Sequence, residues 1–406
     1  MKRKIDITVT ALFLALIFGL GAAFWVIPDS GFSPEENRPL QTFPTLSADG
    51  WLEGKVSSQL ITYYSDQFPM RSLWVNLHAL SELAAGRGES GGVLVGQNGQ
   101  LAVRRFDAYL SLLERMESTD YYRPDHIQNG LDALIRLDDT LSDRRIPLCV
   151  LLPPRTVDVT AGDFSPYPST LPDRLDSSIQ STLSGAGVNS VELLDTFRRM
   201  HNEGEYVYYR TDHHWTTKGA YTAYTAVLTS WGMEEEILPE EAFTIRTVPD
   251  FYGTTYSRAG VPFILPDTLE IWEAADGSDS RFTVFERDGD TVKTVIESGF
   301  ISEKYLSEKD KYSAFLDGTH KMLFIVDKEA ASRGESRPRL LLARDSFANS
   351  MVPFLARHFD ICMVNLTGSV DMTDLSSLCR EYACGRVLVV CNRENLITSD
   401  CLTRVR

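Results

Sequence analysis

The pattern of apolar and polar positions divides the chain into three stretches. From Ile7 to Ile27 no residue is charged, and the run is long enough to cross a bilayer as a helix. Residues 28–50 are rich in proline and polar side chains (Pro28, Ser30, Pro34, Glu35, Glu36, Pro39) and read as a stalk. From Trp51 to about Ala85, apolar residues at Leu60, Ile61, Tyr64, Phe68, Leu73, Leu77, Leu80 and Leu83 predict helix. The expected organisation is an anchor over 1–27, a stalk and helical lead-in over 28–90, and a main domain over 91–406.

Within the main domain, apolar runs alternate with helical spacing. Gly91–Val103 predicts a hairpin with Asn98-Gly99 at its turn. Asp125 is placed to cap a helix reaching about Ser142, with Ile127, Leu131, Leu134, Ile135 and Leu141 on one side. The run from Ile146 to Leu152 is continuously apolar, as a strand covered on both faces should be, and Pro153-Pro154 ends it. A helix near 173–183 and a strand over 188–194 follow. Ala220, Tyr221, Tyr224, Val227, Leu228 and Trp231 fall at helix spacing; Thr216 or Thr217 caps the start and Gly232 supplies the stop.

Residues 236–335 break the alternation. Strand-like runs at 271–273 and 282–285, with a turn at Asp288-Gly289, predict a β-rich insertion forming one wall of the site. Strands resume at 322–326, 340–343, 360–366 and 386–391, with a helix at about 375–382. The fold class is α/β: three layers, α/β/α, around a central parallel sheet. In such sheets, sites gather at the carboxyl ends of the strands.

Charge changes the picture at the N-terminus. Met1-Lys2-Arg3-Lys4 is basic, which keeps that end in the cytoplasm and sends the rest outside. A cleaved signal and an uncleaved anchor are both open. The anchor is favoured because the apolar run continues past Gly21-Ala22-Ala23 through Phe24, Trp25, Val26 and Ile27. No other stretch is apolar enough to span. The chain of 406 residues has a net charge of -16, which argues against a nucleic-acid surface and reads as solubility. Of the six cysteines, Cys149, Cys362 and Cys391 read as buried small hydrophobes, while Cys379 and Cys384 flank a helix end, and spacing alone leaves their pairing open. No Cys-x-x-Cys or His-Glu-x-x-His pattern occurs, so neither metal nor cofactor is expected.

Two places carry candidate chemistry. Asp212-His213-His214 lies in a loop just before the 217–231 helix. A carboxylate two residues from an imidazole can fix its tautomer and steady the imidazolium, which is two thirds of a nucleophilic triad. The bland alternative is a hydrogen-bonded histidine pair. Ser346 lies between the carboxyl end of the 340–343 strand and a following helix, where free backbone N–H groups can hold an oxyanion. There the alternative is a serine that merely caps the helix.

Together, Thr211-Asp212-His213-His214-Trp215-Thr216, Lys218-Gly219-Ala220-Tyr221 and Arg344-Asp345-Ser346-Phe347 resemble the DHHW proteins of Gram-positive bacteria. These are similar in turn to alginate O-acetyltransferase proteins of the AlgJ and AlgX type. The resemblance covers roughly residues 90–395. It implies an SGNH-hydrolase-like fold whose motif order is permuted so that serine comes last. It makes Ser346 the nucleophile, His214 the general base and Asp212 its orienting carboxylate; His213 takes the variable middle position. Tyr209, Trp215, Tyr256 and Arg344 are the substrate-binding candidates, and the loop 251–257 is a candidate source of the second oxyanion donor. Two departures stand out. Arg344 replaces the glycine before Asp-Ser, and no carbohydrate-binding module follows the domain.

The expected function is a membrane-anchored, extracytoplasmic O-acetyltransferase acting on a cell-surface polysaccharide. The resemblance implies that a membrane-bound O-acyltransferase relays the acyl donor. Open alternatives are an esterase with the same triad and a non-catalytic glycan-binding or assembly protein. A third reading takes Asp212-His213-His214 as the metal motif of DHH phosphoesterases.

Overall fold

The computed structural model describes residues 2–103, 124–164, 171–288, 291–367 and 374–406. The capping side chain of Asp125 and the turn at Gly289 lie outside what is described. The chain forms two compact units. One is Met1–Gly91 with Ser257–Phe263; the other is Gly92–Tyr256 with Ile264–Arg406.

The first unit contains four helices: α1 (Lys2–Val26), α2 (Ala48–Leu52), α3 (Lys55–Asp66) and α4 (Arg71–Ala84). The segment Lys4–Val26 is long and apolar enough to cross a membrane. The helical stretch expected over 51–85 is broken twice. Gly54 takes a left-handed conformation (φ 72°) between α2 and α3, and Met70 does the same (φ 57°) just after Pro69. At the end of α1, Phe24 meets the Tyr63 and Tyr64 rings of α3, with centroids 5.8 and 5.3 Å apart.

The second unit opens with the expected hairpin, β1 (Val93–Val95) against β2 (Leu101–Val103). Then come α5 (Pro124–Ser142), β3 (Leu148–Leu151), α6 (Leu171–Gly185), β4 (Ser190–Val191), α7 (Leu194–Asn202) and α8 (Thr217–Ser230). The strand expected over 188–194 is shortened to two residues. Leu194, Phe197 and Met200 follow helical spacing, and the hydrophobic core takes them up as one face of α7. After α8 the chain adds β5 (Phe243–Phe251), β6 (Asp267–Ala274), β7 (Phe282–Asp288), β8 (Thr291–Ile296), β9 (Met322–Asp327), β10 (Arg339–Arg344), β11 (Asp360–Asn365), α9 (Leu375–Glu381), β12 (Arg386–Val390) and α10 (Arg393–Thr398).

Eight strands make the central sheet, in the order β8-β7-β9-β11-β10-β12-β3-β4. From β11 to β4 all neighbours are parallel. Strand alternation sends Leu340, Leu342, Leu388 and Val390 into one core, with α7 and α8. It sends Leu341, Ala343, Val387 and Val389 into the other, with α5, α6, α9 and α10. That is the expected three-layer sandwich. The sheet grows beyond its parallel part through β9, β7 and β8, all antiparallel. β9 sends Leu323 and Ile325 into one core and Met322 and Phe324 into the other, so its apolar pattern carries no sign of its direction. The insertion is therefore divided. β7 and β8 complete the central sheet, while β5 and β6 form a separate antiparallel ribbon.

The six cysteines are free and buried. Cys379 does not pair with Cys384; its thiol donates to the Cys384 carbonyl oxygen at 3.1 Å.

Candidate active site

Ser346 emerges where the strand order reverses. The chain leaves β10 to lay down β11 on one side and later returns to lay down β12 on the other. A crevice forms outside the strand ends at such a point. The turn after β10 is a short 3-10 helix, Ser346–Ser350, and the residue that caps it is Asp345. The Asp345 carboxylate accepts from the Phe347 amide (3.1 Å), the Asn392 amide (2.6 Å) and the Asn395 side chain (2.9 Å). The capping duty being met by Asp345, the Ser346 hydroxyl is left for other work. The Ser346 amide makes no hydrogen bond among the described residues and is available as an oxyanion donor.

The Asp-His-His loop is the tip of a narrow ribbon. Tyr208 and Trp215 pair as an antiparallel bridge, and Thr216 N donates to Val207 O at 2.9 Å. Thr216 then caps α8, its hydroxyl accepting from Gly219 N. From beneath, the Asp267 carboxylate accepts from the Thr211 amide (2.8 Å) and hydroxyl (2.6 Å). This ribbon projects His214 at the serine. Nε2 of His214 lies 2.7 Å from Ser346 Oγ, and Nδ1 lies 2.5 Å from Asp212 Oδ1. A carboxylate can only accept, so Nδ1–H donates to Asp212 and Nε2 is left to accept the serine proton.

Asp212 is buried and fully bonded. Oδ1 also accepts from the His214 amide (3.0 Å), and Oδ2 accepts from the Thr254 amide (2.8 Å) and hydroxyl (3.0 Å). Burial alone pushes this carboxyl up. The two imidazoles and the hydrogen bonds from His214 outweigh it, and hold Asp212 well below the usual carboxylate range. The loop 251–257 is the expected candidate for an oxyanion donor. Its Thr254 amide is spent on Asp212 instead, and its Tyr256 amide on Thr211 O at 2.8 Å. Gly253 is required there, because a Cβ on it would fall 2.2 Å from the Cβ of Asp212.

Sequence reasoning missed Tyr312. It lies flat on His214, with ring centroids 3.8 Å apart and planes 8° apart. Its hydroxyl donates to Ser346 O at 3.1 Å and meets Ser350 Oγ at 3.1 Å. The insertion thus does form a wall of the site, through this ring. No local signal marks Tyr312; the contact exists only once the chain is folded.

The substrate-facing roles expected of Tyr209, Trp215 and Arg344 do not fit their burial. Tyr209 and Trp215 are enclosed, and Trp215 Nε1 donates to Phe347 O (3.0 Å) and Ser350 Oγ (3.1 Å), tying the histidine ribbon to the serine turn. Arg344 is only 1% exposed. Tyr256 is half-buried, against Tyr252. His213 has its Nδ1 2.8 Å from Thr254 Oγ1 and lines a small hollow with Phe347, Thr255, Asn392 and Arg155. Asp212, His213 and His214 each offer a metal-ligating atom, all within 4.8 Å of one another. Both ring nitrogens of His214 are, however, engaged by Asp212 and Ser346.

Comparison with known proteins finds relatives in sequence and in fold. Residues 185–365 match the model of the DHHW protein family, and residues 114–255 match that of the SGNH hydrolase-like domain of the acetyltransferase AlgX. The chain is 28% identical over 224 residues to a protein named probable alginate O-acetylase AlgJ from Pseudomonas syringae, covering 55% of this chain and 51% of the relative. It therefore spans about half the length of the curated relatives it matches. Two solved structures share the fold. Bacillus cereus PatB1, determined with a sulfonyl adduct, is 17% identical with a TM-score of 0.58, over 77% of this chain and 98% of that one. A DHHW family protein from Eubacterium siraeum is 18% identical with a TM-score of 0.52, over 68% and 88%.

Proposed function

We propose that this chain, which carries DHHW and AlgX-type SGNH hydrolase-like sequence, is an extracytoplasmic serine acyl-ester enzyme that moves acetyl groups onto a cell-surface polysaccharide. The observation that carries this reading is the unbroken relay from Asp212 through His214 to Ser346, with contacts of 2.5 and 2.7 Å.

Each group has one task in the reaction. Ser346 Oγ attacks the acyl carbon while His214 Nε2 takes its proton, and the resulting imidazolium is steadied by Asp212. The carbonyl oxygen, now negative, is met by the Ser346 amide. His214 returns the proton to the departing alkoxide, leaving an acyl-serine. A sugar hydroxyl then gives its proton to His214 and attacks the acyl-serine; the proton returns to Ser346 as the new ester leaves. With water in place of the sugar, the same steps make an esterase. The N-terminal helix would hold the domain at the outer face of the membrane. There a membrane-bound O-acyltransferase is the source of acyl groups that the resemblance implies.

The test is turnover of an aryl acetate by the full-length protein, beside its Ser346→Ala variant, with and without an oligosaccharide acceptor. Serine-dependent release of the phenol is expected, with acetyl appearing on the acceptor when one is present. Undiminished turnover in a folded Ser346→Ala protein would sink the proposal. Serine-dependent release with no acetylated acceptor would favour the esterase.

A further inference from the structure

The first unit leaves much of its apolar surface exposed. One cluster of ion pairs closes around the buried Asp66. Asp66, 6% exposed, accepts from Arg38 at 2.6 Å, and Glu36 takes Arg38 at 2.8 Å and Arg71 at 2.6 Å. Its large apolar side chains point outward. On α4, Leu73, Leu77 and Leu80 are 42, 47 and 39% exposed, and Ile61 on α3 is 73% exposed. Positions 73, 77, 80 and 84 recur at three- and four-residue steps, so they form one stripe along α4 rather than scattered residues. Trp51, Tyr64, Phe68 and Trp74 of the same unit are exposed too. Most of the large apolar residues left exposed outside α1 belong to this unit. A patch of this kind marks an interaction surface.

We infer that the exposed apolar face of α3 and α4 lies in the headgroup region of the bilayer that α1 crosses. The inference rests on the reading of α1 as a membrane helix. Lipid is favoured as the occupant by continuity. Phe24, in the last turn of α1, is in ring contact with Tyr63 and Tyr64 of α3, and Tyr64 is itself exposed, so the apolar side of α3 begins where the anchor leaves the hydrocarbon. The aromatic composition also fits, because Trp and Tyr concentrate at the membrane–water boundary. A helix that buries its apolar side in that boundary needs no partner beneath it. The ion pairs of Glu36, Arg38, Asp66 and Arg71 would then hold the unit together where water is scarce. The consequence is a first unit held against the surface, not a free stalk.

The test uses the full-length protein in phosphatidylcholine–phosphatidylglycerol vesicles, with a bimane label on one introduced cysteine at a time. The native cysteines are buried. The probes are Leu73→Cys and Leu77→Cys on the stripe, Leu14→Cys within α1, and Glu235→Cys on an exposed turn of the second unit. The labels at 73 and 77 should be quenched by brominated lipid, and by iodide several-fold less than the label at 235. Iodide quenching at 77 equal to that at 235 overturns the inference. So does shielding from iodide without lipid quenching, which means that protein covers the stripe, whether the same chain or a second copy. Lipid quenching absent at 14 as well removes the anchor reading itself; absent at 73 and 77 alone, it removes only this inference.

Discussion

Gly253→Ala should damage the site more than any other single methyl group. The added Cβ would lie 2.2 Å from Asp212 Cβ, 2.3 Å from Oδ2 and 2.6 Å from Cγ. Carbon atoms settle at roughly 3.5–4 Å, so something must move by about 1 Å. Asp212 cannot rotate away cheaply. Its carboxylate carries two contacts to His214 and two to Thr254, and it is fully enclosed. Overpacking of this kind costs about 1–3 kcal/mol. In a domain this large that lowers Tm by roughly 2–4 °C per kcal/mol. The kinetic effect should be larger, since a misplacement of about 1 Å in a catalytic group costs on the order of 100-fold. Aryl-acetate turnover and thermal unfolding of the same preparation read both. Gly385→Ala is the control, because nothing lies within 4 Å of its added carbon. A Gly253→Ala protein with wild-type turnover and Tm would refute the claim that this glycine sets the position of Asp212.

Asp212→Asn should lower turnover by about 10⁴-fold, as expected when the orienting carboxylate of such a triad is neutralised. Because the Asp212 carboxyl is held well below its usual range, its contribution to stability is fully present above about pH 4 and is lost as pH falls through that value toward the folded one. The Tm difference between wild type and Asp212→Asn should therefore narrow below about pH 4; a gap constant from pH 7 to pH 3 contradicts this. Tyr312→Leu removes the plate on which His214 rests and should cut kcat well below that of Tyr312→Phe, which keeps the ring and loses only its hydroxyl bonds. Equal kcat in the two variants would show that the stacking has no part in positioning the base. Trp215→Phe leaves Phe347 O without its indole donor and should cost about 1–3 kcal/mol in unfolding experiments.

Legibility in the sequence followed the range of each contact. Helix α8 was readable from Ala220, Tyr224, Val227 and Leu228, whose spacing is a local property, and Thr216 caps it as its chemistry requires. The buried strands were readable as apolar runs, but the direction of β9 was not, since a strand covered on both faces has the same pattern either way. Asp212, His214 and Ser346 were named because their types and order carry a motif. Their supports were not. Thr254 lies 42 residues from Asp212, and Asp267 lies 56 from Thr211. Neither leaves any periodic trace. The open question whether Ser346 caps its helix is answered by its neighbour: Asp345 takes the amide of Phe347, and the serine turns to His214.

Arg344 is buried at a cost to the fold that holds it. It stands where a glycine was expected, at the carboxyl end of β10, and strand alternation sends its side chain to the same face as Leu340 and Leu342. There it is nearly fully buried, and its Nε has no hydrogen-bond partner. Burial pulls its pKa down to about 10, so it remains charged at neutral pH. The adjacent carboxylate of Asp345 offsets part of that cost through space, but its oxygens are already committed to Phe347, Asn392 and Asn395. A cation buried without good hydrogen bonds leaves much of its desolvation cost uncompensated, and an apolar side chain of similar volume removes that cost. Arg344→Met should accordingly unfold at the wild-type Tm or above it. A fall of several degrees would show instead that its field on Asp345 holds the serine turn in place, and that the arginine is part of the site's support.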